Sequence, residues 1–339
     1  MLDIEKRGHF GELDGLRGLA AITVAIEHLS NAHMPVAPGL FLGGQSRIAV
    51  WVFFALSAFL LTHQAVNVRQ GDRAEWSLKY LLRRVFRIYP LFIACLFIDV
   101  SLNRVPTWAA IDYLTLTTHP SLEYIYWSIP PEFLFYFLIP IIGFAARVTP
   151  VVSVATLFAF AITSIVLGKH YDFFGFLSTF VFGSIAAISF AAWPDRIKGV
   201  ARWWPIAPII ALLSSFPLVS ATGLNISPVQ WNGMHGALWS IVILACVYGS
   251  TALRWLSGRS LRKLGSLSFS IYLTHPWIVA LAGHLGMANT WWAGAVMLAP
   301  IIGFAALTNF LVETPGERFG YWVQSRIFRK GATTAPART

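Results

Sequence analysis

The chain has 339 residues, 56% of them hydrophobic and only 12% charged, with a mean hydropathy of +0.64. A soluble domain carries about 25% charged residues, so an ordinary water-soluble fold is excluded. The net charge of +10 does not point to nucleic acid, because the bases fall in loops between apolar runs, where membrane topology is written.

From the N-terminus, Met1 to Gly15 is polar, with Asp3, Glu5, Glu12 and Asp14, and lacks the charged-then-apolar pattern of a cleavable leader. Ten stretches then approach the roughly 20 apolar residues that a spanning helix needs. They are 16–31, 48–66, 86–103, 127–146, 150–168, 173–192, 204–221, 235–253, 267–285 and 291–312. The expected fold is all-α, a polytopic membrane bundle of about ten transmembrane helices. Residues 107–118 are too short to span and contain Asp112, so they are expected as a re-entrant or interfacial piece. With the N-terminus inside, the alternation puts all 25 basic residues on the inner side except Arg47, Arg104 and Lys169, as the positive-inside rule requires. An eleventh span would invert everything after it. Both termini are therefore expected in the cytoplasm. The chain divides into a membrane domain, 1–315, and a tail, 316–339. In the tail, bases and aromatics interleave over 316–330, suiting a helix on the inner membrane surface, and the last residues are expected to be disordered.

Cys95 and Cys246 lie inside apolar runs and are expected as buried small hydrophobes. No HExxH, CxxC, P-loop or GxGxxG spacing occurs, so neither a catalytic metal nor a nucleotide-binding loop is expected. No internal repeat is visible.

Ionisable residues inside spans are costly and mark function. Arg17 and His28 are eleven residues apart, which leaves them about 20° from full turns and about 16 Å apart along one helix face. Glu27 projects about 100° away from His28, so adjacency alone does not make it the orienting partner. Arg84 and Arg87 share a face at the start of the third span, either as a membrane anchor or as a bidentate phosphate grip. In the fourth span Ser128 is expected to cap the helix, Trp127 to lie in the outer aromatic belt, and Glu132 to reach a depth comparable with His28. Glu132 is open to a structural or a catalytic role. His275 sits near the middle of the ninth span, where Pro276 frees a backbone acceptor for it. Asp99 is a further buried acid without an evident partner.

These residues fall in motifs. LDGLRGLAAITVAIEHLS carries Arg17 and His28, VFFALSAFLLT follows, then the Arg84-x-x-Arg87 pair with IYP, WSIPPEFLFY with Trp127, Ser128, Glu132 and Tyr136, and finally LGSLSFSIYLTHP and VETP. In this order they resemble the acyltransferase 3 family of bacterial membrane O-acyltransferases, over about residues 12–316. Ala58 stands where that family usually has Gly. The resemblance implies transfer of an acyl group, often acetyl from acetyl-CoA, to a hydroxyl of a surface carbohydrate or lipid-linked acceptor, in the bacterial inner membrane. Acyl-CoA is then a co-substrate, with no permanently bound cofactor. His28 is expected as general base, with an acyl-histidine intermediate as the alternative, Glu132 as its partner or the acceptor's, and Arg17, Arg84 and Arg87 as phosphate ligands. Trp127, Ser128, Tyr136 and His275 are expected against substrate. A secondary transporter or exporter is the rival, disfavoured by the missing repeat.

Overall fold

The computed structural model describes residues 10–37, 46–117, 124–167, 172–200, 228–290 and 292–328. Among them all regular structure is helical. The first three long helices are α1 (Gly11–Asn31), α2 (Ser46–Val66) and α3 (Arg73–Ser101). The short α4 (Thr107–Leu114) occupies the stretch judged too short to span, and a 3-10 turn at Ile125–Ser128 leads into α5 (Ile129–Val148). Then come α6 (Pro150–Leu167), α7 (Asp172–Ala192), α8 (Pro194–Val200) and α9 (Pro228–Val247). After a 3-10 segment at Thr251–Ser257 follow α10 (Arg259–Ser266), α11 (Ser268–His284), α12 (Ala293–Thr308) and α13 (Thr314–Ile327). The expected span at 204–221 and the tail from 329 lie outside the described residues.

Five described helices are long and apolar enough to cross a membrane, seven if each bent pair counts as one span. Charge keeps α1 and α3 out of that number. The first carries Glu12, Asp14, Arg17 and Glu27, the second Arg83, Arg84 and Arg87. Large apolar side chains cover the outside of the bundle, Phe97 and Phe310 among the most exposed. In water such a surface would be an aggregation site; in a bilayer it is the lipid face. The chain is an integral membrane protein.

The helix α2 is central, 72% buried over its most apolar window, whereas α6 is peripheral at 11%. Around the centre, α1 packs on α2, α10, α11 and the 3-10 segment, while α3 lies along α13 and α5. Small residues permit the tightest crossings. A Cβ on Gly18 would overlap the Leu261 carbonyl oxygen, so α1 and α10 meet backbone to backbone. Ala58, which takes the place of the family's Gly on α2, is accommodated because Gly183 of α7 faces it; a Cβ there would stand 2.9 Å from that of Ala58.

Between α12 and α13 the helix widens into a π turn at Asn309–Glu313. Pro315 follows after Thr314 and has no N–H for a helical bond, so the local ladder loosens next to Glu313, which is 1% exposed. A π turn of this kind recurs at functional sites. The three pieces form one rod, Ala293–Ile327, of 35 residues. Its last turns, where bases and aromatics alternate, lie along α3, with Phe319 edge-on to Phe86 at 5.5 Å.

The Gly18 crossing gives a direct test. Gly18→Val should cost about 1–3 kcal/mol by overpacking and lower the thermal midpoint of the detergent-purified protein. An unchanged midpoint would mean that the two backbones have room to part.

Candidate active site

Three helices bring the predicted cations together. Arg17 of α1 and Arg84 and Arg87 of α3 line one internal cavity of about 80 Å³, together with Glu132 and Tyr136, one turn apart on α5. The spacing that put Arg84 and Arg87 on one helix face therefore directs them inward. In this conformation the cavity has room for about two or three waters.

The charges in it are unequally matched. Arg87 pairs with Glu317 and lies 3.4 Å from Glu313, whose second oxygen accepts a 2.7 Å hydrogen bond from Ser270. Arg87 is thus held by the closing VETP segment. Glu132 accepts from Ser57 at 2.7 Å and from Tyr136 at 2.6 Å, both on one oxygen. Arg84 stacks over the Tyr136 ring, 5.9 Å from its centre. Among the described residues neither Arg17 nor Arg84 forms an ion pair. Two guanidinium groups face a largely apolar cavity in which the one carboxylate among the described lining residues is already engaged by two hydroxyls. An unmatched buried cation is costly, and such a group is satisfied by water or by a bound anion.

His28 lies elsewhere on the same helix, towards its C-terminal end, and does not line this cavity. Its Nδ1 is 3.0 Å from Nε2 of His275. The hydrogen bonds assign the tautomers. His275 Nδ1 is 2.9 Å from the Ile271 carbonyl, which only accepts, so His275 carries its proton there. Its Nε2 then accepts, His28 Nδ1–H donates, and His28 Nε2 keeps a lone pair. That nitrogen is 3.4 Å from Glu27 Oε2, and Glu27 is held in turn by Asn31 through a 2.7 Å bond. The angular argument against Glu27 is corrected here: a flexible Glu side chain reaches back across the 100° between adjacent positions. Glu132, expected to orient His28, makes no contact with it and belongs to the arginine cavity.

Tyr272 stands between the two groups. Its ring lines the arginine cavity and is 6.3 Å from that of His275. Its hydroxyl donates to the Ile125 carbonyl at 2.6 Å and lies 2.9 Å from Ser128 Oγ. Ser128 therefore binds Tyr272 and does not cap α5, which starts without a side-chain cap. Trp127, half-buried, packs against Phe54 and Phe176. Asp99, fully buried, accepts from Tyr126 at 2.6 Å and Trp277 at 2.8 Å, with Arg104 at 3.7 Å. It ties α3 to α11 and to the loop before α5, a structural role.

No group of three or more His, Cys, Asp or Glu side chains among the described residues is arranged to hold a metal. The profile of the acyltransferase domain matches residues 10–310, nearly the whole chain. The chain belongs to this acyltransferase family. No curated protein and no solved structure matched it.

The pairing of His28 with His275 leaves His28 Nε2 as the ring nitrogen that faces the Glu27 carboxylate, 3.4 Å away. No signal in the sequence joined these residues, which are 247 positions apart. Glu313, Ser57 and Tyr272 were also missed. The VETP motif was the one available pointer to Glu313.

His275→Ala should let the neutral His28 ring change tautomer and lower turnover about tenfold, less than the roughly 100-fold or greater loss expected of a missing general base. Gln at 275 offers a carbonyl to His28 Nδ1–H and should recover part of the rate. Equal rates for the Ala and Gln variants in an acyl-transfer assay would refute the positioning role.

Proposed function

We propose that this acyltransferase moves an acetyl group from cytoplasmic acetyl-CoA to a hydroxyl of a cell-surface carbohydrate or lipid-linked acceptor. It works in the bacterial inner membrane, with about ten spans and both termini in the cytoplasm. In that arrangement α1 and α3 cross the bilayer despite their charges, because those charges face the interior cavity. The observation that carries the reading is the unmatched pair Arg17 and Arg84 in a cavity separated from the His28 dyad by one tyrosine.

The donor's phosphates approach from the end of the bundle where α1 begins, and the arginines hold them through charge-assisted hydrogen bonds. The pantetheine arm runs up the cavity towards Tyr272. At about 80 Å³ the cavity does not hold that arm as it stands. Phe53, Phe269 and Tyr272 line it, and they turn aside when the donor enters. The acceptor hydroxyl meets the thioester beside His28. His28 Nε2 takes the hydroxyl proton as the oxygen bonds to the thioester carbon. The tetrahedral adduct then expels the CoA thiolate, which receives that proton, and Glu27 stabilises the intervening imidazolium.

His28→Ala should lower acyl transfer about 100-fold or more without reducing the amount of protein in the membrane. The assay is thiol release from acetyl-CoA by membranes containing the protein, together with mass spectrometry of surface glycans. Wild-type membranes that release no CoA above background, or a variant that transfers normally, would remove the proposal.

A further inference from the structure

A second cleft, of about 420 Å³, opens at the end of the bundle where α1 begins and shares Arg17 and Arg87 with the arginine cavity. Its remaining cations, Arg259, Arg262 and Lys263, all come from the single turn-and-a-half of α10 and are exposed. Asp14 is the one acid in the lining among the described residues. Among the described residues none of the three α10 cations forms an ion pair. In the sequence these bases mark only the inner side of the membrane. Their fixed position against Arg17 asks for more than a topology signal. A Cβ on Gly265 would overlap the Asp14 carbonyl oxygen, so this short helix is locked against α1 at the turn that carries Arg17. Arg262 lies over the first turn of α1, its Cδ 3.5 Å from where a Cβ of Gly11 would be.

We infer that the α10 cleft binds the nucleotide end of the donor, an adenosine carrying a 3′-phosphate and a 5′-diphosphate. The inference rests on the acyl-CoA donor proposed above. The chemistry matches in three respects. The ligand carries about four negative charges near neutrality, against Arg17, Arg259, Arg262 and Lys263, the cations of the lining that no ion pair engages among the described residues. Planar guanidinium groups at 259 and 262, on one helix face, suit bidentate contacts with phosphate oxygens. The cleft also shares Arg17 and Arg87 with the arginine cavity, so a ligand seated in it would have its chain end on the side of Tyr272 and His28 once those two side chains move apart. The headgroup of an anionic phospholipid offers the same phosphate chemistry, but its acyl chains lie in the bilayer outside the bundle, not in the arginine cavity.

The test uses the full-length protein in nanodiscs, with acetyl-CoA and acetyl-dephospho-CoA as donors. Wild type should prefer acetyl-CoA, and adenosine 3′,5′-bisphosphate should compete with it. Arg259→Gln/Arg262→Gln should raise the KM for acetyl-CoA about tenfold or more, as expected for lost charged hydrogen bonds, and erase the preference over acetyl-dephospho-CoA. The loss should be confined to KM. Arg254→Gln, an exposed base outside the cleft, should change neither. An unchanged KM and preference in the double variant would overturn the inference while leaving the acyltransferase reading intact. So would displacement of the bisphosphate by phosphatidylglycerol in the disc, which would mark a lipid headgroup site. Wild type inactive with both donors would instead sink the acyl-CoA reading itself, and this inference with it.

Discussion

A guanidinium inside an apolar bundle has to find a counter-charge, and this requirement organises the structure. Three arginines enter the interior from α1 and α3. The closing helix supplies Glu313 and Glu317, which neutralise one of them, Arg87. Glu132, the one acid among the described residues that line the cavity, is tied by Ser57 and Tyr136. Arg17 and Arg84 have no ion pair among the described residues. An Arg17 used only as a membrane anchor would lie at the lipid boundary with its head in water. Here it lines two neighbouring cavities.

The helix α11 is the ruler along which the site is built. Ser270 fixes the carboxylate that holds Arg87, Tyr272 closes the arginine cavity, His275 sets the tautomer of His28, and Trp277 bonds the buried Asp99. At 1.5 Å per residue, Ser270 and His275 are about 8 Å apart along the axis. The anion-binding groups and the imidazole pair are thus neighbouring levels of one frame, separated by a single aromatic ring. This layering suits a reaction in which donor and acceptor arrive from opposite ends. A group-transfer enzyme in a membrane needs the donor and acceptor sites to meet without leaving an open channel, and a tyrosine held by Ser128 and the Ile125 carbonyl supplies the closure. The π turn contributes because Pro315 breaks the ladder where Glu313 must face inward.

Much of this was legible in the amino-acid order. Hydropathy marked the long apolar helices, and the eleven-residue spacing of Arg17 and His28 placed both on one face, as did the i,i+3 spacing of Arg84 and Arg87. What was not legible depends on contacts between distant segments. His28 and His275 meet because α1 packs on α11, and no periodicity carries that information. Glu27 failed an angular test that treats side chains as rigid spokes, whereas three rotatable bonds let its carboxylate return to His28. Glu132 was placed by counting residues from the start of a helix assumed to begin at the membrane surface. The 3-10 turn dips into the bundle first, so the same count puts it among the arginines.

The central claim is that one continuous path joins the unmatched arginines to His28 Nε2. The most direct measurement is a structure of the protein with a non-reactive thioether analogue of acetyl-CoA. The account predicts phosphates against Arg17 and Arg84, Tyr272 displaced, and the carbon adjacent to sulfur about 3–4 Å from the position of an acceptor oxygen beside His28. An analogue bound with its sulfur away from His28, or with Tyr272 still closing the cavity, would contradict it.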